Sequence, residues 1–507
     1  MQVFKRSTFC LAPINKNISR SVSVNKVSVN VDATEIKLKS WREIPGPPTL
    51  PLIGQLHHYF PGGMLEDVSN LGDVLYEKYG PIAKLDGVFG AKPVIFLFDA
   101  EAASQVLWGE NRMPYRPTFI SLEYYRKVYS NKGKTDIVTG LGTDHGEPWK
   151  KFRSTVNPIM LQPKTIILYS NTLNEVAEDM IKRMRSKRND KNMIEGKFDE
   201  EMNLWALESI GVVALGDRLN CFDSNLPENS PVKKLIQTVH NMFKYADKLD
   251  LNPSLWKYIS TPTFKKAMQC YEDQMTLSRY FIDKAIEKLD AKNNNANEEK
   301  GVLQKLLEID KDVAVIMASD MLLAGVDTAA NTIIATLYLL ATNPDKQNKL
   351  REEIKSQKDK KAYLKAVLKE SMRILPVASG NLRLTTKDYN ILGYHIPKNM
   401  KVTFYHQTMS KSDKNFPRPL EYLPERWLAE KTDPLYYGNA HPFAFVPFGF
   451  GIRSCIGRRI AELETETFLS KVIENFHVEW FGPPLRYRTA ALNYMCEPFN
   501  FVFKDVK

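Results

Sequence analysis

Most of the chain alternates apolar and polar positions at helical spacing, and short strand-like runs are set between the helical stretches. From about 165 to 290, apolar residues recur every three to four positions, as one buried face of an α-helix requires. The stretch 313–340 is apolar nearly throughout, with a polar interruption at Gly325-Val326-Asp327-Thr328, and Asn343-Pro344-Asp345 marks its end. The residues after Gly457 (RRIAELETETFLSKVI) read as a further helix. Strand character is predicted at 82–98, with a Gly/Pro break in the middle, at 388–404, with turns at Gly393 and Pro397, and at 494–503. Ile44-Pro45-Gly46-Pro47-Pro48 and the segment 51–54 form a stiff extended lead-in, because proline fixes φ and lacks an N–H. The polar run 291–300 (AKNNNANEEK) reads as a surface loop. With no internal repeat and no linker between two compositions, the pattern predicts one mainly α domain with small β-sheets.

Composition narrows the class. The chain has 507 residues, 43% hydrophobic and 25% charged, an ordinary globular balance. Five cysteines, at 10, 221, 270, 455 and 496, are odd in number and not at metal-knuckle spacing. They argue against a disulfide framework and for a reducing compartment. The net charge of +11 points to an acidic protein partner or a membrane surface, since no nucleic-acid motif is present. The first 31 residues hold Lys5, Arg6, Lys16, Arg20 and Lys26 and recurrent serines, and the first acidic residue is Asp32. Such a composition is that of a mitochondrial import peptide, expected to be cleaved, leaving 33–507 as a single catalytic domain. No continuous run reaches the ~20 apolar residues that span a bilayer, so membrane contact is expected to be peripheral.

The strongest chemical signal is Phe448-Gly449-Phe450-Gly451-Ile452-Arg453-Ser454-Cys455-Ile456-Gly457. A thiolate that ligates iron needs a tight, preformed loop, and glycines let the backbone approach a flat cofactor closely. Backbone N–H groups around the sulfur stabilise its charge, and the positive end of the helix that follows favours it further. Arg453 can pair a porphyrin carboxylate. A lone cysteine is usually a buried structural residue. Here Phe, Gly, Arg, Cys and Gly at fixed offsets should arise by chance only about once in ten thousand chains of this length.

These ten residues match the haem signature of the cytochrome P450 family, and the chain resembles that family from about residue 40 onward. The resemblance implies the P450 fold, with haem b (iron protoporphyrin IX) buried between a long distal helix and a proximal loop. Its axial ligand would be the Cys455 thiolate, with Phe448 and Gly457 shaping the loop. Glu370 and Arg373, three apart on one helical face, and Arg426 in Pro424-Glu425-Arg426-Trp427 match the family's buried charge cluster, a scaffold role. Trp149 and Arg153 match its W-x-x-x-R helix, and Arg383 the position of another arginine; all three would bind haem propionates. Asp327 and Thr328 match the pair that lies over the iron and relays protons to dioxygen. A Thr bonded back to a carbonyl one turn earlier is compatible with that role.

The electron source is outside the chain, which has no G-x-G-x-x-G context and no iron–sulfur cysteine pattern. Lys365 and Lys369 share a helical face about a quarter turn from Glu370 and Arg373, and Arg458 and Arg459 follow the haem loop. In mitochondrial relatives the matching residues dock an acidic, adrenodoxin-like ferredoxin served by an NADPH-dependent reductase. The segments around 113–128 and 157–166 look most similar to insect mitochondrial members associated with xenobiotic and insecticide metabolism. Three functions follow as expectations: a mitochondrial matrix monooxygenase of lipophilic foreign compounds, peripheral to the inner membrane; a sterol or ecdysteroid hydroxylase of the same organelle; and a non-catalytic haem sensor. The Asp327-Thr328 pair speaks against the last.

Overall fold

In a computed structural model of the chain the apolar stretch forms one unbroken helix, Lys311–Ala341. Residues 38–506 are described apart from 52, 67, 90, 111, 131–138, 195, 224, 292–298 and 357–360. The expected presequence, 1–32, and most of the 291–300 loop lie outside the described residues. The Asp310 side chain caps the long helix by accepting the Val313 N–H at 2.9 Å. The helix runs unbroken through the polar spot, where the Thr328 hydroxyl donates to the Ala324 carbonyl one turn back, at 2.7 Å. Among the described residues this is the one helix long and apolar enough to cross a bilayer. Asp320 and Asp327 dilute its run of apolar residues, and the fold buries most of it as a core helix.

Its main neighbour is the helix Phe198–Leu215, which is buried on nearly all sides. The two approach so closely at Gly325 that a Cβ there would lie 2.6 Å from Ile210 Cγ1. The room this glycine leaves is thus taken by the neighbouring helix. The helix after the cysteine loop, Arg458–Asn475, packs on Ser170–Ser186. It also presents Phe468 to Trp205, with the rings stacked at 4.4 Å.

The strands are short and marginal to the helices. Ile82–Leu85, Val94–Leu97, Lys401–Phe404 and Asn381–Leu384 lie side by side in that order, with only the central pair parallel. Lys39–Ser40, Tyr394–Ile396 and Tyr389–Ile391 make a second sheet. Two antiparallel pairs complete the set: Arg486–Thr489 with Asn493–Cys496, and Phe476–Trp480 with Phe501–Asp505. The run predicted at 494–503 is therefore two strands, divided by Glu497-Pro498 and belonging to different sheets. Proline gives no ladder hydrogen bond there.

A fully buried charge cluster ties the helix Ala362–Ile374 to the irregular segment that leads toward the cysteine loop. Glu370 accepts from Arg373 Nε and Nη2 at 2.9 and 2.7 Å and from Arg426 Nε at 3.0 Å. It also accepts from Trp427 Nε1 at 2.9 Å and from the Leu423 N–H at 3.1 Å. Arg373 spends its other donors on the carbonyls of Ser410, Pro419 and Glu421, and Arg426 spends two on Pro417 and Arg418. Removing one partner of such a group strands buried charge, at about 3–5 kcal/mol. Glu370→Ala is therefore expected to lose about that much stability, read as a shift in the denaturant midpoint of unfolding. An unmoved midpoint would deny the cluster its scaffold role.

Candidate active site

A cavity of about 1030 Å³ is lined by Ala324, Gly325 and Thr328 of the long helix and by Phe448, Cys455 and Gly457 of the loop. The loop reaches this position through left-handed turns at Gly449 (φ 74°) and Gly451 (φ 66°), which side chains disfavour. At Gly449 a Cβ would also press on Asn381 Oδ1 at 3.0 Å. The Cys455 N–H closes the loop on the Phe448 carbonyl at 2.8 Å, and Gly457 stands just ahead of the next helix. Cys455 is deep in the fold, yet its side chain is open because it faces the cavity. Burial pushes its thiol up, against the pull of the Gly457 N–H and of Arg116, Arg153 and Arg458. Coordination to a metal removes such a proton outright.

Four guanidinium groups gather at one side of this space. Arg453 lies over the Trp149 ring at 3.7 Å and gives its N–H groups to the carbonyls of Pro114, Leu141 and Asp144. Burial, with Arg116, Arg383 and Arg153 nearby, lowers it to about 9. Arg153 donates to the Ser454 carbonyl at 3.0 Å and keeps a buried Nε without a partner. Arg383 pairs with Glu110 at 2.5 Å and sits behind the cavity wall rather than in it. The fourth, Arg116, was not singled out from the sequence. It lines the cavity with a buried, unpartnered Nε, and burial, with Arg383 and Arg153 adding repulsion, lowers it to about 10. Among the described residues only Arg383 of these four groups has a carboxylate partner, so positive charge gathers on this side of the cavity.

Thr328 and Asp327 face different ways. Thr328 lines the cavity with its hydroxyl turned to Ala324. Asp327, 1% exposed, points away from the cavity, accepting the Tyr494 O–H at 2.8 Å, and its Oδ1 has no partner. Burial pushes its carboxyl up, with Tyr494 and His240 opposing and Asp199 adding to the rise. Glu464 is another buried acid, this one on the cavity wall, with no partner at Oε2 among the described residues; burial lifts it to about 8.

Lys365 and Lys369 are exposed on the helix that buries Glu370, and Arg458 and Arg459 are exposed at the start of Arg458–Asn475; Lys365, Lys369 and Arg458 also border the cavity on the cysteine side. Lys365 meets Glu466 only at 4.0 Å, Arg458 meets Glu462 at 2.8 Å, and Lys369 lies 5.6 Å from the centre of the Trp427 ring.

The cytochrome P450 family profile matches residues 44–489, and the chain belongs to that family. It is 38% identical to cytochrome P450 CYP12A2 of Musca domestica, over 90% of each chain. It is 35% identical to "probable cytochrome P450 12a5, mitochondrial" of Drosophila melanogaster, over 97% of each. Its fold matches the crystal structure of the cytochrome P450DA heme domain with a TM-score of 0.72 at 20% identity, over 91% of this chain and 97% of that one. The family is one of haem monooxygenases with a cysteine thiolate ligand, and the cavity fits such a cofactor. It offers an open thiol on one wall and unneutralised guanidinium groups for two propionates at the side.

Arg116 then carries a definite expectation. A charge-assisted hydrogen bond contributes about 1.5–3 kcal/mol, and about 1.4 kcal/mol is a factor of ten. Arg116→Leu should therefore speed haem transfer to an apoprotein acceptor about tenfold or more. A transfer rate equal to that of the unaltered protein would remove Arg116 from the site.

Proposed function

We propose that this P450 is a mitochondrial monooxygenase that oxidises lipophilic foreign compounds, with electrons from an adrenodoxin-like ferredoxin and its NADPH-dependent reductase. One observation carries the reading: an open cysteine thiol and the hydroxyl of a buried helix share one largely apolar cavity. Bound at Cys455, haem iron supplies the redox chemistry that activates dioxygen, with electron push from the thiolate. The chain's own residues do the rest. Arg116, Arg153 and Trp149 hold the propionate side. Ile210, Phe243, Met317, Met321 and Leu492 exclude water and receive an apolar substrate. The two methionines suit a varied set of shapes, because the thioether chain is unbranched and adaptable. The Thr328 hydroxyl, now given to Ala324, becomes a proton donor to the cavity by rotating about χ1, and Asp327 behind it is the acid that reloads the path.

The organelle is supported by relatives named mitochondrial and by the basic, acid-free first 31 residues, which we read as a presequence removed before Pro45. Peripheral contact with the inner membrane is supported by exposed apolar side chains at Ile53, Phe60, Phe89, Leu251, Tyr258 and Ile259. Segments that carry them are joined by the Tyr258 hydroxyl on the Phe89 carbonyl and by Gln55 on the Asp86 N–H. Exposed apolar side chains that gather in one place mark interaction surfaces.

Cys455→Ser should keep the fold but lose the red-shifted Soret band of the reduced carbonyl complex. An unchanged band would sink the ligand assignment and the reading with it. For the partner, Lys365, Lys369, Arg458 and Arg459 offer charge to an acidic ferredoxin. Such docking weakens with salt, since the Debye length falls from about 10 Å at 0.1 M to about 3 Å at 1 M. Lys365→Glu with Lys369→Glu should raise the ferredoxin concentration needed for half-maximal rate and leave the substrate-binding spectrum in place. Rates indifferent to both salt and charge reversal would exclude this face.

A further inference from the structure

Asp327 is a buried carboxylate with one oxygen satisfied and one orphaned, an arrangement that costs stability and calls for an explanation. It does not line the cavity, so protons must reach it from another side. The side that opens toward water is occupied by His240, on the helix Pro231–Ala246. The His240 side chain is 46% exposed, and its Nδ1 lies 3.9 Å from Asp327 Oδ2. Its ring stands edge-on to Tyr494, 5.7 Å between centres. Tyr494 gives its O–H to the same Oδ2. The remaining charges around the group come from three other elements. Asp199, at the start of Phe198–Leu215, faces Asp327, and Glu497 faces Asp199 in turn. Arg488 lies 6.0 Å from the Tyr494 ring and 3.9 Å from Asp247.

We propose that His240 is the solvent-side positioning residue of the Asp327 proton path. This rests on the reading of Asp327 and Thr328 as the proton source of the cavity. Imidazole exchanges protons with water in the neutral range, which Tyr494 does not. At 3.9 Å the two groups are just beyond hydrogen-bond distance, and rotation of the exposed ring or one bridging water closes the gap. The imidazolium then passes its Nδ1 proton to Oδ2. His240 becomes neutral imidazole, Asp327 becomes the neutral acid, and water returns a proton to His240. Tyr494 keeps the carboxyl in place throughout, so the acid is loaded from outside without solvent entering the substrate space.

The test uses the full haem-loaded chain and two readouts. The first is infrared difference spectroscopy across a pH titration, with the Asp327 carboxyl band identified by its loss in Asp327→Asn. A cation at His240 favours the carboxylate, so in His240→Gln the protonated band should persist to higher pH than in the unaltered protein. In His240→Lys, which keeps a cation, the band should return toward its original position. The second readout is product formed per reductant consumed, as a function of pH. It should vary with pH in the unaltered protein. In His240→Gln it should be low and flat. A carboxyl band that ignores both His240 variants, together with an unaltered pH profile, overturns the proposal. If Asp327→Asn itself leaves the product ratio unchanged, the failure belongs to the reading of Asp327. If that variant does not hold haem, Tyr494→Phe takes its place: it removes the other donor to Oδ2, and the band should become more sensitive to His240→Gln.

Discussion

Glu370 is fully buried, and its two oxygens take hydrogen bonds from five N–H groups on Arg373, Leu423, Arg426 and Trp427. A carboxylate in that position is tolerable only when every lone pair is used. Its two arginines are equally demanding, and they satisfy themselves on backbone carbonyls from 410 to 421. An irregular segment, with little ladder bonding of its own, is thereby fixed to a helix. Residues 428–447 separate that segment from the cysteine loop, so the clamp anchors the chain on its approach to the loop.

At the cavity the opposite imbalance holds. The arginines there are only partly answered by protein groups: Arg453 by carbonyls, Arg383 by Glu110, Arg116 and Arg153 with orphaned N–H groups. Burial first, and then mutual repulsion, lower Arg116 and Arg453. A dianionic cofactor relieves this strain, so its binding and the stability of this region are linked.

The parts of this arrangement legible in the sequence are those carried by local spacing. The Phe448–Gly457 signature, the E-x-x-R pair of Glu370 and Arg373, and the apolar run of the long helix each declare themselves within a few residues. What the sequence hid depends on contacts made far along the chain. Arg116 lies in no periodic pattern, and Glu110 meets Arg383 across 273 positions of sequence. Asp327 next to Thr328 suggests two groups facing one space, but adjacent residues on a helix point about 100° apart. The structure turns the acid toward Tyr494, a residue whose strand-like surroundings gave no sign of a polar partner.

The hairpin Arg486–Thr489/Asn493–Cys496 is clamped to the long helix at its second strand, by Tyr494 on Asp327 and by the Met495 N–H on Asn331. Its tip, Ala490 to Leu492, lines the cavity. Clamp and tip are separate residues, so the tip can exchange one side chain for another while the clamps hold the backbone. Changes at three neighbouring codons can therefore reshape the cavity wall and leave the hydrogen bonds to Asp327 and Asn331 untouched.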